Sequence, residues 1–194
     1  MPEHTNRIRI SNCVTLDKTN LDPGTVAGIR LKFSFDNPKY LENQRLGFSN
    51  DSTNKTINLY QETEDFVKFP RGLVKDLFEI IPNVSIEDQT ATNPVEFPKS
   101  NIELREYQEK AVTEMMAKNQ GVLVAPPGAG KTVMAVDMVM KRKQKTLVLC
   151  HTKDLKEQWL DRFQKFTGMM PGVIDDKNFD TEQPIIVGMV QSLT

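Results

Sequence analysis

The chain has 194 residues, 38% of them hydrophobic, enough for a packed core in one large domain or two small ones; 25 Lys plus Arg face 26 Asp plus Glu. Residues 1–99 carry 12 basic and 14 acidic side chains and residues 100–194 carry 13 and 12, which excludes a strongly basic nucleic-acid module, so any such binding must come from local placement of charge. No apolar leader opens the chain, no run of about 20 apolar residues could span a bilayer, and Cys13 and Cys150 are far apart without metal spacing, so a globular protein of a reducing cytoplasmic interior, without a membrane partner, is expected.

Residues 6–16 alternate apolar and polar for part of their length and read as one strand. Asp22-Pro-Gly24 is a turn signal. Val26 to Phe35 is ambiguous in its first half and alternates as a strand in its second. After the break at Asp36-Asn-Pro38, Lys39 to Gly47 reads as a short helix stopped by glycine. Lys55 to Gln61 and Asp65 to Phe69 are predicted strands of a hairpin turned at Glu62-Thr-Glu64. Leu73, Val74, Leu77, Phe78, Ile80 and Ile81 space as one buried helix face, ended by Pro82-Asn83. The Pro-, Thr- and Asn-rich stretch up to about Ser100 then marks the boundary between a small α+β unit, 1–98, and a second unit, 99–194.

The second unit alternates helix and strand, the signature of a parallel sheet covered by helices. Leu104, Tyr107, Ala111, Val112 and Met115 lie on one helix face that ends near Asn119-Gln-Gly121. Val122 to Ala125 is predicted as a strand, followed by the loop Ala125-Pro-Pro127-Gly128-Ala129-Gly130-Lys131-Thr132 and a helix carrying Val133, Val136, Val139 and Met140. Strand, glycine-rich loop and helix in that order form a phosphate-loop motif, with Ala125 where glycine is usual. Backbone N–H groups of such a loop and of the helix start can face a triphosphate; Lys131 would reach the β and γ phosphates and the Thr132 hydroxyl would ligate Mg2+. Thr146 to Cys150 reads as a buried central strand, and Leu155, Trp159, Phe163 and Phe166 as an amphipathic helix. Pro184 to Val190 is the last predicted strand. Lys141-Arg-Lys143 with Lys145 is read chiefly as a solvated helix end.

Four pieces in order resemble the superfamily 2 helicases of the DEAD/DEAH type, nearest the XPB-like and type III restriction branch. Leu104-Arg105-Glu-Tyr-Gln108 resembles the adenine-sensing Q motif, and Ala125 to Thr132 resembles motif I. Leu147 to Trp159 resembles motif Ia, with His151 where proline is usual, and Ile185 to Leu193 resembles the following DNA-contact motif. The resemblance implies an incomplete RecA-like domain that binds ATP and Mg2+ through Arg105, Gln108, Pro127, Gly128, Ala129, Gly130, Lys131 and Thr132. It also implies a DNA partner, branched or duplex, met at Thr152, Lys153, Gln191 and Ser192. A glutamine amide has the donor and the acceptor that an adenine edge requires, but Gln108 also suits a solvated helix position. Thr152 equally suits an N-cap, and Gln191 and Ser192 a polar strand end.

Val173-Ile-Asp-Asp176 is in the wrong order for the acidic magnesium motif. No Asp-Glu-x-[His/Asp] stretch follows Leu193, and no second motor domain with an arginine finger is present, so the chain is expected to be the N-terminal piece of a longer ATP-dependent DNA helicase, a monomer without hydrolysis of its own. A restriction-system motor subunit and a non-hydrolysing DNA- or nucleotide-binding module remain the alternatives. Residues 1–98 have a weaker resemblance to accessory domains ahead of phage and mobile-element helicases, which would put Arg45, Lys55, Lys68 and Arg71 at DNA phosphates; a small structural or protein-interaction domain is the competing reading.

Overall fold

The computed structural model describes residues 6–81 and 83–193. They form two compact units, Met1–Ala91 and Thr92–Thr194.

In the first unit, Asn6–Ile10 (β1) and Val14–Asp17 (β2) form an antiparallel pair, Ile8 facing Leu16, so the single strand expected over 6–16 is a hairpin folded at Ser11 to Cys13. The expected turn at Asp22 to Gly24 is a helix start. Asp22 accepts a hydrogen bond from Thr25 N, Pro23 takes the first helical position, and α1 runs Pro23–Lys32. The apolar alternation of Ile29, Leu31 and Phe33 suggests a strand, but the burial follows a helix: Ile29 and Phe33, four apart, are buried while Leu31 between them is 83% exposed. Ser34–Asp36 (β3) pairs antiparallel with Thr56–Asn58 (β4), and between them α2, Pro38–Leu46, stops at Gly47 as expected.

The strand expected over Lys55–Gln61 is therefore two: β4 and Gln61–Glu62 (β5), the latter in a hairpin with Phe66–Phe69 (β6). A 3-10 turn, Arg71–Leu73, leads into α3, Val74–Phe78, shorter than the expected helix; Pro82 lies outside the described residues. The stretch expected to be only a linker contains a strand, Val84–Asp88 (β7), which pairs parallel with β1. The sheet order is β5-β6-β2-β1-β7. Ile8, Val14, Leu16, Val67 and Phe69 point to one side of it, where Ile29, Phe33, Leu77 and Ile81 close the core.

The second unit begins with α4, Glu106–Met116, and continues with α5, Lys131–Arg142. Thr146–Cys150 (β8), Gly172–Ile174 (β9) and Ile185–Met189 (β10) make a parallel sheet in the order β8-β10-β9. The central, fully buried strand is thus β10, whereas β8 ends the sheet and exposes Leu147 and Leu149, a correction to the expected central β8. Between β8 and β9, α6 spans Lys153–Thr167, capped at its start by Thr152, whose hydroxyl accepts from Leu155 N. The expected face of α6 packs as predicted: Phe163 is fully buried, with Leu155, Trp159 and Phe166 against Val136, Met140, Ile185 and Val187.

Val122–Ala125 does not form the expected strand. Among the described residues it pairs with no other strand, and Val122 and Val124 are each 89% exposed. A strand exists only through ladder bonds to a neighbour, and β-propensity alone cannot supply them.

Candidate nucleotide and DNA site

α5 opens at the loop that the sequence singles out. Gly128 and Gly130 both have left-handed backbone, φ 78° and 81°, a conformation that a β-carbon would strain. Ala129 N donates to Pro126 O at 3.3 Å, which tightens the turn. Nothing lies within 4 Å of where a β-carbon on Gly128 would sit, so the loop is bare there. The α5 start adds helix N–H groups that have no carbonyl earlier in the helix, together with the positive end of the helix dipole. This donor set fits a phosphate chain. Lys131 Nζ is folded back onto the loop, donating to the carbonyls of Ala125 at 2.7 Å and Pro126 at 3.1 Å. Thr132 sits half-buried in the first turn of α5. No group of three or more His, Cys, Asp or Glu side chains suited to a metal ion exists among the described residues.

The Q-type residues come to the same place. Gln108 is buried, with its polar atoms engaged inside the unit: Oε1 accepts from Arg105 N at 2.9 Å, and Nε2 donates to Ala129 O at 2.9 Å. A β-carbon on Gly130 would come within 2.4 Å of that Nε2, so α4 and the phosphate loop are in close contact. Arg105 and Pro127 are exposed at the edges of this arrangement. Tyr107, which the sequence offers on an apolar helix face and within the Q-type motif but not as a site residue, also reaches the loop, its hydroxyl donating to Ala129 O at 3.1 Å. Its spacing one residue before Gln108 could have suggested the pairing.

The four DNA candidates gather at the ends of β8 and β10. In register Cys150 faces Met189, so the residues that follow each strand are neighbours. Gln191, at the 3-10 turn Val190–Ser192 that ends β10, donates from Nε2 to His151 O at 3.0 Å and ties the two ends together. Thr152 caps α6. Lys153 is 77% exposed at its side chain and pairs loosely with Asp176 at 3.9 Å; Ser192 is half-buried. Asp175, in the acidic pair that follows β9, is engaged within the unit. Its bond from Lys156 Nζ at 2.7 Å, joined by Lys177 N and the Asn178 amide, holds its pKa far below the carboxylate range and closes the turn after β9.

The basic run also has internal work. Lys141 pairs with Asp137, Arg142 caps the end of α4 at Met115 O and Lys118 O, Lys143 pairs with Glu96, and Lys145 donates to Thr181 O. In the first unit Arg71 is bonded to Thr90, while Arg45 and Lys55 are exposed. Lys68 lies on the uncovered sheet face in the cross-strand row Lys68, Thr15, Arg9, Glu87. On the same face Arg9 lies 5.3 Å over the Phe66 ring.

Beside Lys131 and Thr132 an open groove of about 650 Å3 runs past Ala135, Met138 and Val139 to Leu155 and Trp159. Its walls are mostly apolar, with Lys131, Thr132 and Arg142 among its polar lining.

A family model described as type III restriction enzyme, res subunit, matches residues 101–194. The probable helicase D10 of Escherichia phage T5 is 31% identical over 106 residues, which cover 55% of this chain and 23% of that protein. The DNA 3'-5' translocase XPB2 of Sulfurisphaera tokodaii is 38% identical over 89 residues, 45% of this chain and 20% of the relative. A putative ATP-dependent RNA helicase, L396, of Acanthamoeba polyphaga mimivirus is 29% identical over 197 residues, 92% of this chain and 34% of its own length. The chain thus spans between a fifth and about a third of these relatives. The crystal structure of T4 UvsW shares the fold with a TM-score of 0.66 over 97% of this chain and 43% of that one, at 18% identity. Residues 101–194 are thus similar to the type III restriction enzyme res-subunit family and to proteins named as helicases and translocases, and the chain shares the fold of T4 UvsW.

Proposed function

We propose that this chain is the nucleotide-binding front part of an ATP-dependent DNA helicase or translocase. The observation that carries the reading is the bare loop from Gly128 to Gly130 at the head of α5, backed by Gln108 and Tyr107 of α4. Pro127, Gly128, Ala129 and Gly130 supply the cradle, and Lys131 leaves the carbonyls of Ala125 and Pro126 for the β and γ phosphates. Thr132 ligates Mg2+, and Arg105 with Gln108 meets the base. The nucleotide contributes the free energy of phosphoryl transfer; the chain's part is to bind and orient it. At the ends of β8 and β10, Thr152, Lys153, Gln191 and Ser192 take a DNA phosphate, helped by the α6 N-terminus. In the first unit Lys68 and Arg9 offer charge for the same partner. Residues 1–194 alone bind nucleotide without turnover, because none of the residues named above positions a water or supplies an arginine finger.

The test titrates a fluorescent ATP analogue with Mg2+, and separately labelled forked DNA, against the purified chain. Binding of the analogue that Lys131→Ala abolishes, and DNA affinity that falls as salt rises, support the reading. An affinity indifferent to Lys131→Ala, or steady-state hydrolysis that the same variant abolishes, counts against it. The description of the matching family favours a second reading, the motor subunit of a restriction system, in which the same loop drives translocation and a partner cuts.

A further inference from the structure

Two donors from α4 converge on one loop carbonyl. Ala129 O receives Gln108 Nε2 at 2.9 Å and the Tyr107 hydroxyl at 3.1 Å, and Nε2 is also 3.3 Å from that hydroxyl. A carbonyl oxygen has two lone pairs and can accept both. This oxygen belongs to the peptide unit that joins Ala129 to Gly130, and the chain has no cis bond among the described residues. In a planar trans peptide the C=O and the next N–H point in opposite directions. With the Ala129 carbonyl turned onto α4, the Gly130 N–H is turned away from α4.

Glycine tolerates φ of either sign, so rotation of this peptide unit by half a turn is cheap at Gly130, where φ is 81°. A flipped unit would present an oxygen to a phosphate in place of a donor. We propose that Tyr107 and Gln108 are positioning residues: together they clamp the Ala129 carbonyl and so hold the Gly130 N–H aimed at the phosphate chain. The inference rests on the nucleotide-binding reading and adds Tyr107, to which no motif gives that task. It also gives Gln108 a duty independent of the base, consistent with its burial and its bonds to Arg105 N, Ala129 O and the Tyr107 hydroxyl.

The experiment uses the full chain, Tyr107→Phe, Gln108→Ala and the double variant. Tyr107 is 48% exposed, so phenylalanine is accommodated, and an unchanged melting curve verifies the fold. In the nucleotide-free 15N-labelled protein, the Gly130 amide resonance is expected to shift or broaden in both single variants, while the amides of β10 stay in place. Magnesium tripolyphosphate, which has no base, and a fluorescent ATP analogue are then titrated in parallel. Each single variant is expected to lose roughly five-fold in affinity for both ligands, the weight of one hydrogen bond. A Gly130 amide unmoved in both variants overturns the clamp. So does a Gln108→Ala loss confined to the ATP analogue, which would make Gln108 a reader of the base alone. If the wild type binds neither ligand, the nucleotide reading fails, and the Gly130 amide still decides the clamp.

Discussion

Replacing Gly130 by alanine tests the contact between α4 and the phosphate loop through stability. Two penalties add at this position. A residue with a β-carbon in left-handed backbone costs about 1–2 kcal/mol, and the new carbon would lie 2.4 Å from Gln108 Nε2. The amide end of a glutamine can swing away, but here it must give up the bond to Ala129 O, about 1 kcal/mol. Gly130→Ala should therefore cost about 2–3 kcal/mol. Gly128→Ala is the control: φ is 78° but nothing lies within 4 Å of its β-carbon, so only the backbone penalty of about 1–2 kcal/mol applies. In a Gln108→Ala background the collision with the amide vanishes and only the tight approach to Val133 Cγ1 at 3.1 Å is left, so Gly130→Ala should fall toward the cost of Gly128→Ala, a coupling of about 1 kcal/mol. Urea unfolding followed by fluorescence of the single tryptophan, Trp159, reports the second unit directly because the indole stacks on Phe163 with ring centroids 5.9 Å apart. Equal penalties at the two glycines, or strict additivity with Gln108→Ala, would refute the contact.

Phe163→Ala empties the centre of the second core and should cost about 3–5 kcal/mol in the same assay; a loss under 1 kcal/mol would mean that α6 does not seat there. Hydrogen bonds from Arg30 and then Lys18 lower the Glu62 pKa from 4.5 to about 2. A depressed folded-state pKa gives stability that is present above the unfolded value and lost as pH falls toward 2. Solvent reaches this group, so Glu62→Gln should cost only about 1 kcal/mol at pH 7, and the gap to wild type in far-UV unfolding should close between pH 4.5 and 2. Asp175→Asn should likewise destabilise the turn after β9 at neutral pH and lose its effect in acid, read as amide exchange at Asn178.

The second unit was legible where one periodicity had no rival. Leu155, Trp159, Phe163 and Phe166 fit only a helix, and the apolar runs of β8 and β10 only strands. The first unit was harder because its signals were shared. Asp22-Pro-Gly24 carries the residues of a turn and of a helix start alike, and the choice falls to Ile29 and Phe33 packing on the sheet. β7 was hidden by the prolines around it, and its parallel pairing with β1 spans more than 70 residues, a relation that local sequence does not encode. In the candidate site, the position of the loop, with Lys131 and Thr132 in the first turn of α5, follows from residue type. That Tyr107 and Gln108 meet Ala129, or that Gln191 ties β10 to His151, depends on where separate elements end.

The unpaired stretch Val122–Ala125 has a consequence for behaviour in solution. Two valines almost wholly in water, on a backbone that no described strand pairs, are what an incoming strand seeks, whether from further along a longer polypeptide or from another molecule. At high concentration the chain should therefore self-associate through this segment, and a charged residue at position 122 should relieve it. Because the stretch runs directly into the phosphate loop, nucleotide affinity would then vary with protein concentration.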